Sequence, residues 1–368
     1  MTLAYHFAET ASVAETARSL WIDRMRSILT VLVIFHHAAI TYGASGSWFY
    51  KATTTTDPLL TLIAAVDQSF FMGAFFLIAG YLAPMSLTRK GSAAFLADRV
   101  LRLGLPSAAF ALLLGPVTVA LAAAPPSGFW ATATDGIGHG PVLGPMWFPV
   151  ALLVLSAFVP VLHRPYQAKA PVPPFHHWLL GALALGLVTL LVRQVFPVGS
   201  AVLGMQLGYF PGYVTFFALG LVASRHRWLD RLPRGFARKA ALPALVVFPL
   251  LPVVLLAMSD PVFETGFALP AITYALWEPL IALGIVPALI LWAQSPSRLP
   301  SAFWSRAAAN SYGAFVLHAP LLVIACRLLD HAGTPKTLAL PVATLITTLL
   351  CIYLAAILRR SAAVRRVL

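Results

Sequence analysis

Ten apolar stretches, each near the length that crosses a bilayer, leave this chain few choices of fold. They fall at about 27–45, 59–83, 101–123, 146–162, 178–196, 206–223, 240–258, 268–293, 308–329 and 337–358. A transmembrane helix needs roughly 20 residues. The expected fold is therefore an all-α polytopic membrane protein with about ten transmembrane helices. Composition agrees: 60% of the 368 residues are hydrophobic and 10% are charged, whereas a soluble domain carries about 25% charged residues. The fourth stretch is short and holds Pro149 and Pro160. Pro58, Pro84, Pro197, Pro233 and Pro335 sit in connections or near span ends. Pro116, Pro252, Pro287 and Pro341 lie inside spans, where proline marks kinks.

The net charge of +13 would raise nucleic acid as a partner of a soluble protein. Here the basic residues separate apolar spans, so they report orientation and contact with anionic membrane lipid, and no nucleic acid is expected. With the N-terminus in the cytoplasm, 21 of the 25 Lys and Arg residues fall inside, and only Lys51, Arg193, Arg327 and Lys336 fall outside. The expected topology is N-in and C-in. The outer loop at 259–267 carries Asp260 and Glu264 without a basic residue. Residues 1–20 lack the apolar core and cleavage site of a signal peptide and are expected to be a cytoplasmic segment. Residues 21–360 are expected to form one membrane domain, and 361–368 a basic cytoplasmic tail. Cys326 and Cys351 both lie inside spans, which argues against a disulfide or metal framework, and no metal is expected. The chain has no phosphate-cradling glycine loop, no His-Glu-x-x-His and no Gly-x-Ser-x-Gly. These absences argue against an ATPase, a zincin and an α/β-hydrolase.

Chemistry concentrates first in Trp21-Ile-Asp-Arg-Met-Arg-Ser-Ile-Leu-Thr-Val-Leu-Val-Ile-Phe-His-His-Ala38. His37 follows Arg26 by eleven positions, which is about three turns plus 20°, so the two share a helix face with a rise of roughly 16 Å. An ionisable residue at membrane depth is a candidate site. His37 is therefore a candidate base or nucleophile. The plainer reading is a neutral histidine bonded to a neighbouring helix. His36, rotated by about 100°, packs or hydrogen-bonds behind the site.

Further candidates follow along the chain, each with a plainer reading. In Asp67-Gln-Ser-Phe-Phe-Met-Gly-Ala-Phe-Phe-Leu-Ile-Ala-Gly-Tyr81, the small residues Gly73, Ala74, Ala79 and Gly80 let helices approach closely. Asp67 either orients a histidine, holds an acceptor hydroxyl, or snorkels to the interface. Arg99 and Arg102, three apart at the start of the third span, suit the phosphates of an anionic donor or act as topology anchors. Gly138-His-Gly-Pro-Val-Leu-Gly-Pro-Met-Trp-Phe148 reads as a shaped outer turn, in which Trp147 lines a site or anchors at the interface. Glu278, inside the eighth span, needs a histidine or arginine partner. Tyr312 and His318 in the ninth span line a cavity or bond between helices.

Together these motifs resemble the acyltransferase-3 family of integral membrane acyltransferases, over nearly the whole chain. The resemblance is carried by Asp23-x-x-Arg26 with His37 after ten residues, Phe75-Phe-Leu-Ile-Ala-Gly-Tyr81, and Arg99-x-x-Arg102 with Pro106. Met146-Trp-Phe148 and Ser311-Tyr-Gly-Ala-Phe-Val-Leu-His318-Ala-Pro320 complete it. Ala79 stands where serine is commoner, and His36 where an aromatic residue is usual. Many members carry an additional extracytoplasmic hydrolase-like domain, which has no counterpart in these 368 residues.

The resemblance implies transfer of an acyl group, such as acetyl or succinyl, from cytoplasmic acyl-CoA to a hydroxyl of a glycan, lipid or small natural product. Arg26, Arg99 and Arg102 would hold the CoA phosphates. His37, with Asp67 and Glu278 as further catalytic candidates, would act as base or acyl carrier. His36, Trp147, Tyr312 and His318 would contact the acceptor, which enters near Asp67, His139 and Trp147. The expected location is a bacterial cytoplasmic (inner) membrane, with homo-oligomer formation left open. Two other classes compete. A secondary transporter would also bury His, Asp and Glu, but it would show paired broken helices, and none is evident. A non-catalytic lipid or sensor module would neither hydrolyse nor transfer an acyl group.

Overall fold

A computed structural model of the chain describes residues 2–123, 128, 142–163, 170–258 and 261–368. The described residues form helices and no strand, apart from one antiparallel bridge between Val202 and Met205. The first helix, α1, is Thr2–Thr41, and it runs unbroken through the boundary expected near residue 20. Then come α2 (Pro58–Lys90), α3 (Ser92–Ala123), the shorter α4 (Gly144–Ala157), α5 (Phe175–Val195), α6 (Leu207–His226) and α7 (Arg234–Ala257). The last three long helices are α8 (Leu269–Gln294), α9 (Ser301–His331) and α10 (Lys336–Leu358). A short helix, α11 (Ala362–Val367), follows.

Eight of these helices are long and apolar enough to cross a membrane, against the ten expected. The two others are α1 and α4. Arg24, Arg26, His36 and His37 lower the hydropathy of the second half of α1. In α4, a turn at Phe158 ends the helix early, between Pro149 and Pro160.

Two prolines shape α3. Its turns at Val100–Gly104 and Phe110–Leu114 are wound as π-helix, with the amide of Leu105 donating to Val100 O and that of Gly115 to Phe110 O. Each wide turn sits just before a proline, Pro106 or Pro116. Proline has no N–H to give, and its ring crowds the carbonyl four residues back, so the preceding turn rewinds. The expected kink at Pro116 thus takes the form of a π-turn.

Glycine decides how closely α2 and α6 meet. A Cβ on Gly80 would lie 2.2 Å from Phe217 O, and one on Gly220 would lie 2.3 Å from Leu77 O. No side chain fits there, so the two backbones are in contact, as small residues permit. Midway along α1, Arg24 is buried. Its Nη1 donates to Ala293 O at 2.7 Å and Ser295 O at 2.6 Å, and its guanidinium lies 4.6 Å from the Trp292 ring centroid. These contacts tie α1 to the end of α8 and set its height in the bundle.

Candidate active site

The last turns of α1 carry His36 and His37 into the middle of the bundle. Nδ1 of His37 lies 3.1 Å from Nε2 of His318 on α9. The two ring planes differ by 14° and their centroids are 5.2 Å apart, so the rings meet edge to edge in a shared plane. Nδ1 of His318 lies 2.5 Å from Phe315 O, one turn earlier on the same helix. Trp48 covers one face of His37, with ring centroids 3.8 Å apart and planes within 12°.

Trp48 belongs to the segment joining α1 to α2, which folds back over the end of α1. Gly43 and Gly46 make the reversal with φ of 131° and 135°, a region that side chains rarely enter. Backbone bonds from Ala52 N to Thr41 O (2.9 Å) and from Asp57 N to Gly43 O (2.8 Å) close the loop. The hydroxyl of Tyr50 donates to Asp330 Oδ2 at 2.7 Å. Burial first, and then this bond, push the Tyr50 phenol up to about 12, so it remains a donor at ordinary pH. Asp57 caps α2 by accepting from Leu60 N, with Pro58 as the first helical residue.

His36, His37, Trp48, Gln68, Trp147 and Tyr213 line a cavity of about 860 Å³. Its polar side is built by stacking and hydrogen bonds: Trp147 lies against Tyr213 at 5.2 Å, and Gln68 Nε2 donates to Tyr213 Oη at 2.7 Å. Its other side is apolar, with Leu62, Leu251 and Leu255 among the walls. His36 stacks on Phe71 at 4.9 Å. Its Nδ1 is 4.0 Å from Asp67 Oδ2, beyond hydrogen-bond length, and both atoms are buried without a hydrogen-bond partner among the described residues. Asp67 thus neighbours His36 rather than His37.

A second polar centre lies where α1, α3 and α10 come together. Arg26 senses the charges of Arg359 and Arg102 and is offset by Asp23, while Arg99 senses Arg102 and Asp98. Arg359, just past the end of α10, has its guanidinium pushed below the usual value, first by burial and then by Arg102 and Arg365. Arg99 lies 4.9 Å from the Phe95 ring centroid, and its Nε is buried without a hydrogen-bond partner among the described residues. Arg102 donates from Nε to Asp98 Oδ1 at 3.2 Å, and Lys90 Nζ reaches the same oxygen at 2.8 Å. The π-turn at Val100–Gly104 opens the angle between Arg99 and Arg102 beyond that of an α-helix. Arginines from separate elements held close together fit an anionic phosphate, which would relieve their mutual repulsion.

The structure therefore brings the sequence candidates together in two groups. His36, His37 and Trp147 line the cavity, and Arg26, Arg99 and Arg102 share the arginine cluster. His318, expected against the acceptor, is fully buried behind His37 and does not line the cavity. Tyr312 also lies outside the cavity wall. Glu278 is ion-paired with Arg193 of α5, the partner type that a buried carboxylate requires, and neither is part of that wall. Arg193, counted with the outer loops in the sequence, is a buried helix residue. His139 lies outside the described residues, as do Arg164, Lys169 and Asp260.

Several participants went unnoticed in the sequence, Gln68 and Tyr213 of the cavity wall among them. Trp48 gives only a weak signal, a single indole just after two loop glycines. Arg359 looks like an ordinary anchor at the end of the last span. Arg193 gives no sign that it faces Glu278, 85 residues away.

Residues 19–358 match the Acyl_transf_3 family model, described as an acyltransferase domain. No curated protein and no solved structure matches the chain. The match spans all the helices that carry the cavity and the arginine cluster, apart from Arg359 and α11, which lie just past its end. The chain belongs to the acyltransferase-3 family of membrane acyltransferases.

Proposed function

We propose that this protein moves an acyl group from acyl-CoA to the hydroxyl of an acceptor bound in the 860 Å³ cavity. The observation that carries the reading is that one helix, α1, joins both centres: Arg26 stands in the arginine cluster and His37 in the cavity wall. Arg26, Arg99, Arg102 and Arg359 bind the phosphates of the donor. His37 takes the acceptor's proton as the oxygen attacks the thioester carbon. Trp48 holds the imidazole in place and keeps water from one of its faces. His36, Gln68, Trp147 and Tyr213 contact the acceptor.

Orientation belongs to the same proposal. The basic bias supports a cytoplasmic position for the arginine cluster, where acyl-CoA is made, and the location proposed with it is a bacterial inner membrane. The acceptor then approaches from the opposite side. Glycans, lipids and natural products with a free hydroxyl all fit a cavity with one polar and one apolar wall.

The test is turnover of labelled acyl-CoA by purified protein at matched folded fractions. Loss of a general base costs about 10²–10⁴ in rate, and more if the histidine carries the acyl group. His37→Ala should fall by at least that factor, while His36→Ala, which disturbs a stacked neighbour, should keep a much larger share. Full activity in the His37 variant would dismiss the mechanism.

A further inference from the structure

The edge-to-edge meeting of His37 and His318 fixes more than a contact between helices. A carbonyl oxygen has no proton, so the bond between His318 Nδ1 and Phe315 O requires the proton on Nδ1. The other nitrogen of a neutral His318, Nε2, then carries a lone pair. Nε2 is the atom 3.1 Å from His37 Nδ1, so that bond requires His37 to donate from Nδ1. The last nitrogen in the chain, His37 Nε2, is left unprotonated. His37 lines the cavity, whereas His318 does not.

We infer that His318 is a positioning residue: through the Phe315 carbonyl it sets the tautomer of His37 and presents Nε2 to the cavity as the proton-accepting atom. The inference rests on the acyl-transfer reading for what that lone pair does, though not for where the proton sits. In the reaction, the acceptor O–H proton moves to His37 Nε2. The oxygen bonds the acyl carbon, the carbon–sulfur bond breaks, and the leaving thiolate takes the proton back from Nε2. His318 neither gains nor loses a proton, but its lone pair stabilises the transient His37 imidazolium through Nδ1–H. The arrangement uses a helix carbonyl and an imidazole where other hydrolases and transferases use a carboxylate.

Two measurements test it. Nitrogen-15 spectra of ring-labelled protein in nanodiscs, assigned through single His→Gln variants, should show both His37 and His318 with the proton on Nδ1. Free neutral histidine prefers the proton on Nε2, so this pair stands out from exposed histidines. His37 with its proton on Nε2 overturns the inference. In turnover assays, His318→Leu should lower kcat by about 10²–10⁴-fold, the scale of a misplaced tautomer, with KM for acyl-CoA unchanged. His318→Gln, whose amide oxygen can accept from His37 Nδ1–H, should recover part of the loss. Wild-type kcat in the leucine variant overturns the inference, and so does a glutamine variant no better than leucine at equal folded fraction. If neither variant folds, the wild-type tautomers alone decide. Absence of acyl transfer by the wild type would sink the proposed reaction but leave the tautomer result standing.

Discussion

Arg193 and Glu278 face each other across α5 and α8 as an ion pair whose side chains are only 1% and 9% exposed. Tyr209 and Tyr274 flank the guanidinium, with ring centroids 5.1 and 4.7 Å away. Removing one partner leaves the other charge buried and unpaired, at a cost of about 3–5 kcal/mol, whereas replacing both with apolar residues is often neutral. Glu278→Leu should therefore melt well below the wild type in detergent, and the Arg193→Leu/Glu278→Leu double variant should recover most of the loss. A Glu278→Leu protein with wild-type melting and no activity would instead make Glu278 a reacting group.

Gly80 and Gly220 set a second stability test. A methyl at either position meets a backbone carbonyl, which cannot swing aside as a side chain can. Overpacking of this kind costs about 1–3 kcal/mol. Gly80→Ala and Gly220→Ala should each lower the melting temperature, while Gly212→Ala on the same α6 helix, whose Cβ would meet nothing within 4 Å, should leave it nearly unchanged. Equal effects at all three sites would show that α2 and α6 are not in backbone contact.

The arginine cluster predicts a loss of donor affinity. Arg99→Ala and Arg102→Ala should each weaken CoA binding by about ten- to a hundred-fold, as expected for a charge-assisted hydrogen bond of about 1.5–3 kcal/mol. Arg359→Ala should do the same, although the sequence marks it only as an anchor. Calorimetric titration with CoA, which lacks the acyl group, isolates the phosphate contacts. Unchanged affinity in all three variants would reduce them to topology signals.

The loop over His37 predicts a change in local opening. Tyr50→Phe removes the bond to Asp330 and should speed hydrogen exchange at the amides of Ala52 and Asp57, whose partners hold the reversal closed. Trp48→Ala should lower kcat with little effect on CoA affinity, because the indole touches the histidine and lies apart from the arginines.

Topology turns on whether α1 and α4 cross. If α1 and α4 both cross, reporters fused after Leu232, Ala302 and Arg366 should report cytoplasm, and those after Ala52, Ser200 and Gly333 the opposite side. Failure of α4 to cross would invert every site beyond it, a pattern that reporter activity reads directly.

The helices were legible because long apolar runs have little else to become, and Gly80 announced a close approach. Arg26 and His37 were legible because both lie on one helix, where spacing converts to direction. Partners on different helices were not. Nothing near Asp67 says that it meets His36 rather than His37. Nothing near His318 says that it sits behind the His37 ring rather than in the cavity. The two missing spans are physical: the charged and polar residues that make α1 interesting are the ones that depress its hydropathy.

Between Arg26 and His37, α1 has neither proline nor glycine. The helix therefore works as a rigid gauge, fixing span and azimuth together. One extra residue there would lengthen the gauge by only about 1.5 Å but swing His37 by about 100°, away from His318, Trp48 and the cavity. This segment can vary in side chains far more freely than in length.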